Sequence, residues 1–309
     1  MNQVRKLTEH DVAEVVERIA RRLRDEASWC EFVNPELSRE LLEGSLRSAT
    51  DATWVAVADE RVVGHLYGAV LESEVSGRSA WVGPDGVSFD TPDRLADLYA
   101  TAGQSWLDAG ARDHYVWVLN QNRVCDPWYE LGFARFHARG VLRLERHRRD
   151  LLPDGYRIRQ GSLDDLDLCV ELVREIDRVE SCGPSFCVDP PSSSLRDELA
   201  ETLSDPDAKY FVVDYRGEPV GQCLAFAMDA RRGSFAPSVH LSAVVVGESH
   251  QRRGVATGLI NVALEDARNC GFHYAETNWR VTNRRAATFW TDYGFHPTYV
   301  RLHRRLGSR

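Results

Sequence analysis

The sequence predicts an α/β protein built as two similar domains in tandem. Three observations carry that expectation: a gapless internal match, a second match near the end of each half, and apolar stripes at helical spacing in between. The segment WVAVADERVVGHLYGAV (54–70) lies over FVVDYRGEPVGQCLAFA (211–227), with Trp54 on Phe211 and Val63-Gly64 on Val220-Gly221. Each copy reads as strand, charged turn, strand. WYELGF (128–133) matches WTDYGF (290–295), helical spacing up to a Gly-Phe exit.

In chain order each half should run strand, two helices, three strands, helix, strand, helix, strand. The helix after the third strand is read from Leu95, Leu98, Ala102 and Trp106 in the first half, and from Val255, Leu259, Val262 and Ala263 in the second. The stretch RHRRDLLPDG (146–155) is polar, ends in Pro and Gly signals, and separates the halves. Domains are therefore expected at 1–147 and 156–309, with a linker at 148–155. A chain of 309 residues suits two domains, and the repeat is too long for a solenoid unit.

Composition narrows the function classes. The balance of 38 basic and 47 acidic residues gives a net charge of −9, which argues against nucleic acid and anionic membrane as partners and favours a cationic small molecule. No apolar run approaches the roughly 18 residues of a membrane span, and no leader pattern opens the sequence, so a cytoplasmic protein is expected. The seven cysteines form no CxxC pair, and Cys182 and Cys187 are too far apart for the usual zinc hairpin. Reduced thiols and no metal site are expected.

One turn carries chemistry. His240–Val246 (HLSAVVV) reads as a strand and runs into SHQRRGVATG (249–258), after which a helix begins. A strand-to-helix turn points backbone N–H groups and the positive end of the helix dipole one way, a geometry that binds phosphate. Gly254 leaves room for a phosphate to approach, Ala256 is the next smallest choice, and Arg252 and Arg253 add charge at the rim. The turn is neither a dinucleotide fingerprint nor a Walker loop.

QRRGVA (251–256), the preceding VVVGESH (244–250) and NRRAATFWTDYGF (283–295) together resemble, in order and spacing, the motifs of the GCN5-related N-acetyltransferases (GNAT). The resemblance covers residues 156–306; for the first half it rests on the repeat. It implies two tandem GNAT-like domains, each a mixed, mainly antiparallel twisted sheet flanked by helices, with acetyl-CoA as cofactor. It implies that backbone groups of Val244, Val245 and Val246 pair with the pantetheine arm. Gln251, Arg252, Arg253, Gly254, Val255 and Ala256 would hold the pyrophosphate, with Asn283 and Trp290 on the opposite wall. In the first half the corresponding turn reads DTPDRL (90–95), where Asp90 and Asp93 repel a pyrophosphate and Pro92 lacks an N–H. The first domain is expected to keep the fold without the cofactor.

Acetyl transfer to an amine needs a proton acceptor. Eleven residues before Gln251 stands His240, at a strand position where family members carry a glutamate or histidine base. A histidine suits the task near neutral pH. Ser242, two residues on and on the same strand face, could order a relay water. Glu276 and Glu248 are alternative bases. The family's thiolate-protonating tyrosine is replaced by Trp290, as by Trp128 in the first copy, and Tyr293 stands one turn along. An indole donates a hydrogen bond but is no proton source. The long loop RVESCGPSFCVDPPSSS (178–194) is the expected acceptor wall, with Glu180, Phe186 and Asp189, and Glu276 beside them, recognising a cationic or aromatic amine.

The expected function is transfer of an acetyl group from acetyl-CoA to a primary amine of a small molecule, by direct attack in a ternary complex, in a monomer or homodimer. Two alternatives stay open: a mycothiol-synthase-like acetyltransferase acting on an aminosugar-linked cysteine, and a coenzyme A-binding sensor or scaffold without catalysis.

Overall fold

The computed structural model describes residues 3–33, 39–73, 77–144, 152–187, 194–228 and 237–307. The first half contains β1 (Gln3–Lys6), α1 (Val12–Ala27), α2 (Arg39–Ser48), β2 (Thr53–Ala58), β3 (Arg61–Tyr67), β4 (Ala69–Ser73), β5 (Gly77–Val82), β6 (Val87–Phe89), α3 (Pro92–Asp108), β7 (Asp113–Leu119), α4 (Asn122–Glu130) and β8 (Ala134–Arg143). The second contains β9 (Tyr156–Gln160), α5 (Leu166–Ser181), α6 (Leu195–Ser204), β10 (Ala208–Tyr215), β11 (Glu218–Met228), β12 (Ser238–Val246), α7 (Val255–Asn269), β13 (Tyr274–Arg280), α8 (Arg284–Tyr293) and β14 (His296–Arg305).

The second half follows the expected order. In the first, five short strands stand where three were expected, because the chain breaks at Gly68 and again over Gly83–Gly86. Gly68 passes so close to Trp106 that a Cβ there would lie 2.3 Å from the indole. Of the ladders whose register is described, β5–β7 and β12–β13 are parallel and the others antiparallel, so both halves are mixed and mainly antiparallel.

Compactness divides the chain differently from its sequence halves. One unit gathers Met1–Ala138 with Thr298–Arg309; the other gathers Arg139–Asp229 with Pro237–Pro297. The expected boundaries at 147 and 156 are thus displaced, and residues 148–151 of the expected linker lie outside the described residues. The displacement reflects an exchange of last strands. In unit 1, β14 pairs antiparallel with β7, from Tyr299↔Leu119 to Arg305↔Asp113. In unit 2, β8 lies beside β13, giving the order β8-β13-β12-β11-β10-β9.

Side-chain volume fits each strand to its place. Gly140 of β8 lies against Trp279 of β13, where an added Cβ would sit 2.4 Å from the ring. Leu302 stands as far after Trp290 as Gly140 stands after Trp128. It is wholly buried in the unit 1 core with Val116 and Val118 of β7. A leucine beside Trp279 would overpack, and a glycine opposite Val116 would leave a cavity.

The helical stripes supply the rest of the cores. Leu95, Leu98, Ala102 and Trp106 are all buried in unit 1, each large side chain contributing roughly 1.5–3 kcal/mol by leaving water. In unit 2, Val255, Leu259 and Ala263 are buried as expected, but Val262 is 37% exposed, and Ile260, Leu264 and Ala267 complete the buried face instead. On the opposite face, α5 and α6 cover Tyr210, Val212 and Leu224 with Cys169, Val170 and Leu199.

Candidate active site

The site forms where β12 and β13 part. Their parallel ladder runs from Ser238↔Tyr274 to Leu241↔Thr277, and among the described residues it ends there. The Thr277 hydroxyl donates to the Leu241 carbonyl at 3.0 Å and closes the ladder. On its other edge β12 carries a bulge: Ser242 faces Leu224 and Val245 faces Gln222, so two residues of β12 oppose Cys223 alone. Ala243 takes a positive φ of 48° at this bulge, an uncommon conformation for a residue with a side chain. The bulge increases the local twist just where Ser242–Val246 leave β13, opening the backbone of Val244, Val245 and Val246 on that side.

Beyond β12 the chain folds into the glycine turn. The Gln251 side chain donates to the Val246 carbonyl at 3.0 Å, and the Tyr156 hydroxyl meets His250 Nδ1 at 2.8 Å, so the turn is tied back at two points. Arg252 (φ 57°) and Gly254 (φ 82°) both adopt left-handed backbone, and Gly254 is the N-cap of α7 without a side-chain cap. Gln251, Arg252, Arg253 and Gly254 are exposed, Val255 is buried as the anchor, and Ala256 is partly buried. A Cβ at Gly254 would meet nothing within 4 Å, so the residue is required by its φ and not by crowding. First-turn N–H groups that lack an intrahelical partner, left-handed backbone on either side and two exposed guanidiniums fit a pyrophosphate, and the opened edge of β12 fits a pantetheine arm.

Period-two alternation places Ser238, His240 and Ser242 on one face of β12. In register with them on β11 are Leu224 and Phe226, and Leu224 packs under α5 and α6, which fixes the face. His240 is largely covered, with the Phe226 ring 5.1 Å away. Glu276 of β13 lies opposite His240 and is fully buried. Its Oε1 is 3.3 Å from His240 Nδ1, and its Oε2 accepts from Arg139 Nε of β8 at 2.5 Å. Burial alone would push this carboxyl up; the His240 hydrogen bond and the Arg139 guanidinium outweigh it and hold Glu276 below the ordinary glutamate value. The carboxylate can only accept, so Nδ1 carries the proton and neutral His240 keeps Nε2 as its basic nitrogen.

The remaining expected residues separate into two groups. Glu180, at the end of α5, is ion-paired at 2.5 Å with Arg280, which shares the Glu276 face of β13. Phe186 is 75% exposed in the loop that follows, where Ser185 accepts from the Thr282 hydroxyl at 3.0 Å. Asp189 lies outside the described residues. Glu248 is exposed in the short turn after β12, away from the Glu276 ladder register.

Asn283 caps α8, its side chain accepting from the Ala286 N–H at 3.1 Å. Trp290 is 6% exposed and meets Phe295 edge to face at 5.0 Å. Trp128 and Phe133 repeat that arrangement at 5.0 Å, so the tryptophan is a packing element of both copies. Tyr293 donates to Asn261 Oδ1 at 2.5 Å, bridging α8 to α7.

Arg139, Arg280 and the bulge at Ala243 were missed by sequence reasoning. Arg139 stands 137 positions from Glu276, and no local pattern announces the pairing. In unit 1 the corresponding turn carries an ion pair. Arg18 donates to the Val62 and Val63 carbonyls at 3.0 and 2.9 Å and holds Asp90 at 2.6 Å, while Pro92 opens α3. The described residues hold no cluster of metal ligands and no helix long and apolar enough to cross a membrane.

The Acetyltransferase (GNAT) family model matches residues 175–295, which include the glycine turn, β12, β13 and α8. Solved structures share the fold over the whole chain. The GCN5-related N-acetyltransferase of Sphaerobacter thermophilus superposes with a TM-score of 0.66 at 18% identity, covering 99% of this chain and 97% of that one. A tandem GNAT protein from the clavulanic acid biosynthesis pathway gives 0.58 at 17% identity, covering both chains completely. The GCN5-related N-acetyltransferase of Kribbella flavida gives 0.51 at 12%, covering 84% of this chain and 88% of that one. No curated protein matches significantly. Residues 175–295, which hold the glycine turn and the opened strand, are thus similar to the Acetyltransferase (GNAT) family, and the chain as a whole shares its fold with tandem and single GCN5-related N-acetyltransferase structures.

Proposed function

We propose that unit 2 acetylates a primary amine of a small molecule by direct attack in a ternary complex, and that unit 1 keeps the fold without binding cofactor. The observation that carries the reading is the His240–Glu276 contact on the last pair but one before the β12–β13 ladder opens. A base is thereby fixed beside the place where the strands part, on the face covered by α5 and its loop.

Bound acetyl-CoA supplies the thioester that is to be broken. His240 Nε2 takes the proton from the attacking amine, directly or through a water held by Ser242. Backbone N–H groups of Val244 to Val246 offer donors to developing negative charge on oxygen. Gln251–Ala256 hold the pyrophosphate, and Arg252 and Arg253 add two exposed cations at the rim. Tyr293 spends its hydroxyl on Asn261, and a dedicated acid is unnecessary because a thiol ionises near pH ~8.5.

Phe186 offers the acceptor an exposed aromatic face, and Asp189 offers an anion from the same loop. Glu180 is already neutralised by Arg280, so its part is to fix the end of α5 and not to bind a cation. The test is incubation with acetyl-CoA and a panel of small amines, following thiol release. Turnover on at least one amine, lost in His240→Gln, is expected. Tight coenzyme A binding with no turnover on any amine overturns the reading in favour of a sensor.

A further inference from the structure

We infer that Arg139 is a positioning residue for acetyl transfer, acting on His240 through Glu276; the inference rests on the reading of His240 as base. Glu276 is wholly buried on β13, and its two oxygens are divided: Oε1 faces His240 Nδ1 at 3.3 Å, and Oε2 faces Arg139, whose Nε approaches to 2.5 Å and whose Nη2 is also ion-paired to it. A buried carboxylate without a countercharge takes up a proton instead of staying ionised. Arg139 is itself largely covered, with 12% of its side chain exposed, so solvent screens the pair little. The guanidinium keeps Glu276 an acceptor, and the acceptor keeps the imidazole proton on Nδ1.

Among the described residues, the charged groups acting on Glu276 are Arg139 and His240. β8 supplies Arg139, and β12 supplies His240 itself. β11 brings the Phe226 ring to His240, and Arg280, further along the same face of β13, is paired with Glu180 of α5.

The first copy provides an internal control. Trp81↔Tyr115 is the third pair of the β5–β7 ladder, as His240↔Glu276 is of β12–β13. Arg301 stands as far after Trp290 as Arg139 does after Trp128. In unit 1, Trp81 and Tyr115 stack at 4.3 Å, and Arg301 lies over both rings at 5.2 and 5.3 Å. The same strand position therefore bears an arginine in both units: in unit 1 it lies over aromatic rings, and in unit 2 it meets a carboxylate that holds a histidine. The exchange of last strands brings Arg139, from the first half of the sequence, into the unit that carries the cofactor turn.

Arg139→Gln in the full chain tests this. Removing a cation makes the Glu276–His240 pair bind its first proton at higher pH, whichever residue carries it. The acid limb of the kcat/KM profile should move up by about one pH unit or more, kcat should fall about tenfold or more, and KM for acetyl-CoA should stay unchanged. Arg139→Lys should return the limb towards its original position. A fall in kcat with the limb unmoved, or a rise in KM for acetyl-CoA alone, overturns the inference.

If Arg139→Gln does not fold, the paired change Arg139→Met with Glu276→Gln buries no lone charge. Compared with Glu276→Gln alone it should alter kcat by less than about twofold, and a further large loss would overturn action through Glu276. An acid limb that persists in His240→Gln overturns the base reading, and this inference with it. A His240 limb confirmed while the Arg139 variants leave it in place removes this inference alone.

Discussion

Glu276 Oε1 lies 3.3 Å from His240 Nδ1, across a register pair of the short parallel ladder that joins β12 to β13. That contact decides which imidazole nitrogen is basic, and it predicts the outcome of removing the ring. His240→Gln keeps the size and a hydrogen-bonding group while removing the basic nitrogen. We expect kcat to fall by about 10²–10⁴ and the acid limb of the pH profile to vanish, with coenzyme A affinity retained. Stopped turnover with lost cofactor binding would show a structural role instead.

Cofactor affinity should reside in the turn. Gly254→Asp forces a side chain into left-handed backbone, at about 1–2 kcal/mol, and puts an anion beside the pyrophosphate. Titration calorimetry with coenzyme A should show binding weakened at least about tenfold, which corresponds to about 1.4 kcal/mol. Gly254→Ala, with the strain but not the charge, should fall between. Undiminished affinity in the aspartate variant would mean that the pyrophosphate lies elsewhere.

The same titration should give one coenzyme A per chain. In unit 1, Arg18 spends its guanidinium on two carbonyls and on Asp90, and Asp93 stands in the first turn of α3. Those carboxylates repel a pyrophosphate and Pro92 removes an N–H. A stoichiometry of two would overturn the assignment of the first copy as cofactor-free.

The turn and the repeat were legible because both are local. Six residues carry the strand end, the glycine and the helix start, and short apolar patterns carry the strands on either side. The partner of each last strand was not legible. ARFHARGVLR and HPTYVRLHRR both read as half-buried strands, and the choice between them falls to volumes across the sheet, with Gly140 against Trp279 and Leu302 against Val116. The Arg139–Glu276–His240 arrangement depends on that choice and so was hidden with it. Glu276 was legible as an acidic residue near the site but not as a buried one, since its countercharge is Arg139, 137 positions away in the sequence. Trp290 was read as a cofactor wall through family likeness, whereas its match to Trp128 already pointed to the core.

Acid should destabilise unit 1 through its buried histidines. His65 is wholly buried, its Nε2–H donating to the Asp85 carbonyl at 3.1 Å and its Nδ1 accepting from the Ser88 hydroxyl at 2.7 Å. Burial pushes its imidazole down to about 3, and His114 is pushed down to about 4 for the same reason. In the unfolded chain a histidine titrates near 6.5, so below that pH the unfolded state takes up a proton that the folded state refuses. The stability that neutral His65 contributes is therefore complete above about pH 6.5 and is lost as pH falls towards about 3. Between pH 7 and pH 5 the loss from this one group should be about 2 kcal/mol. Urea unfolding followed by tryptophan fluorescence should show His65→Gln less stable than the parent at pH 7, because two buried partners are disturbed. The variant should nevertheless lose less on acidification, by about that amount. Parallel pH dependences in the two proteins would mean that His65 is already protonated in the fold, and would remove buried imidazole as the source of acid sensitivity.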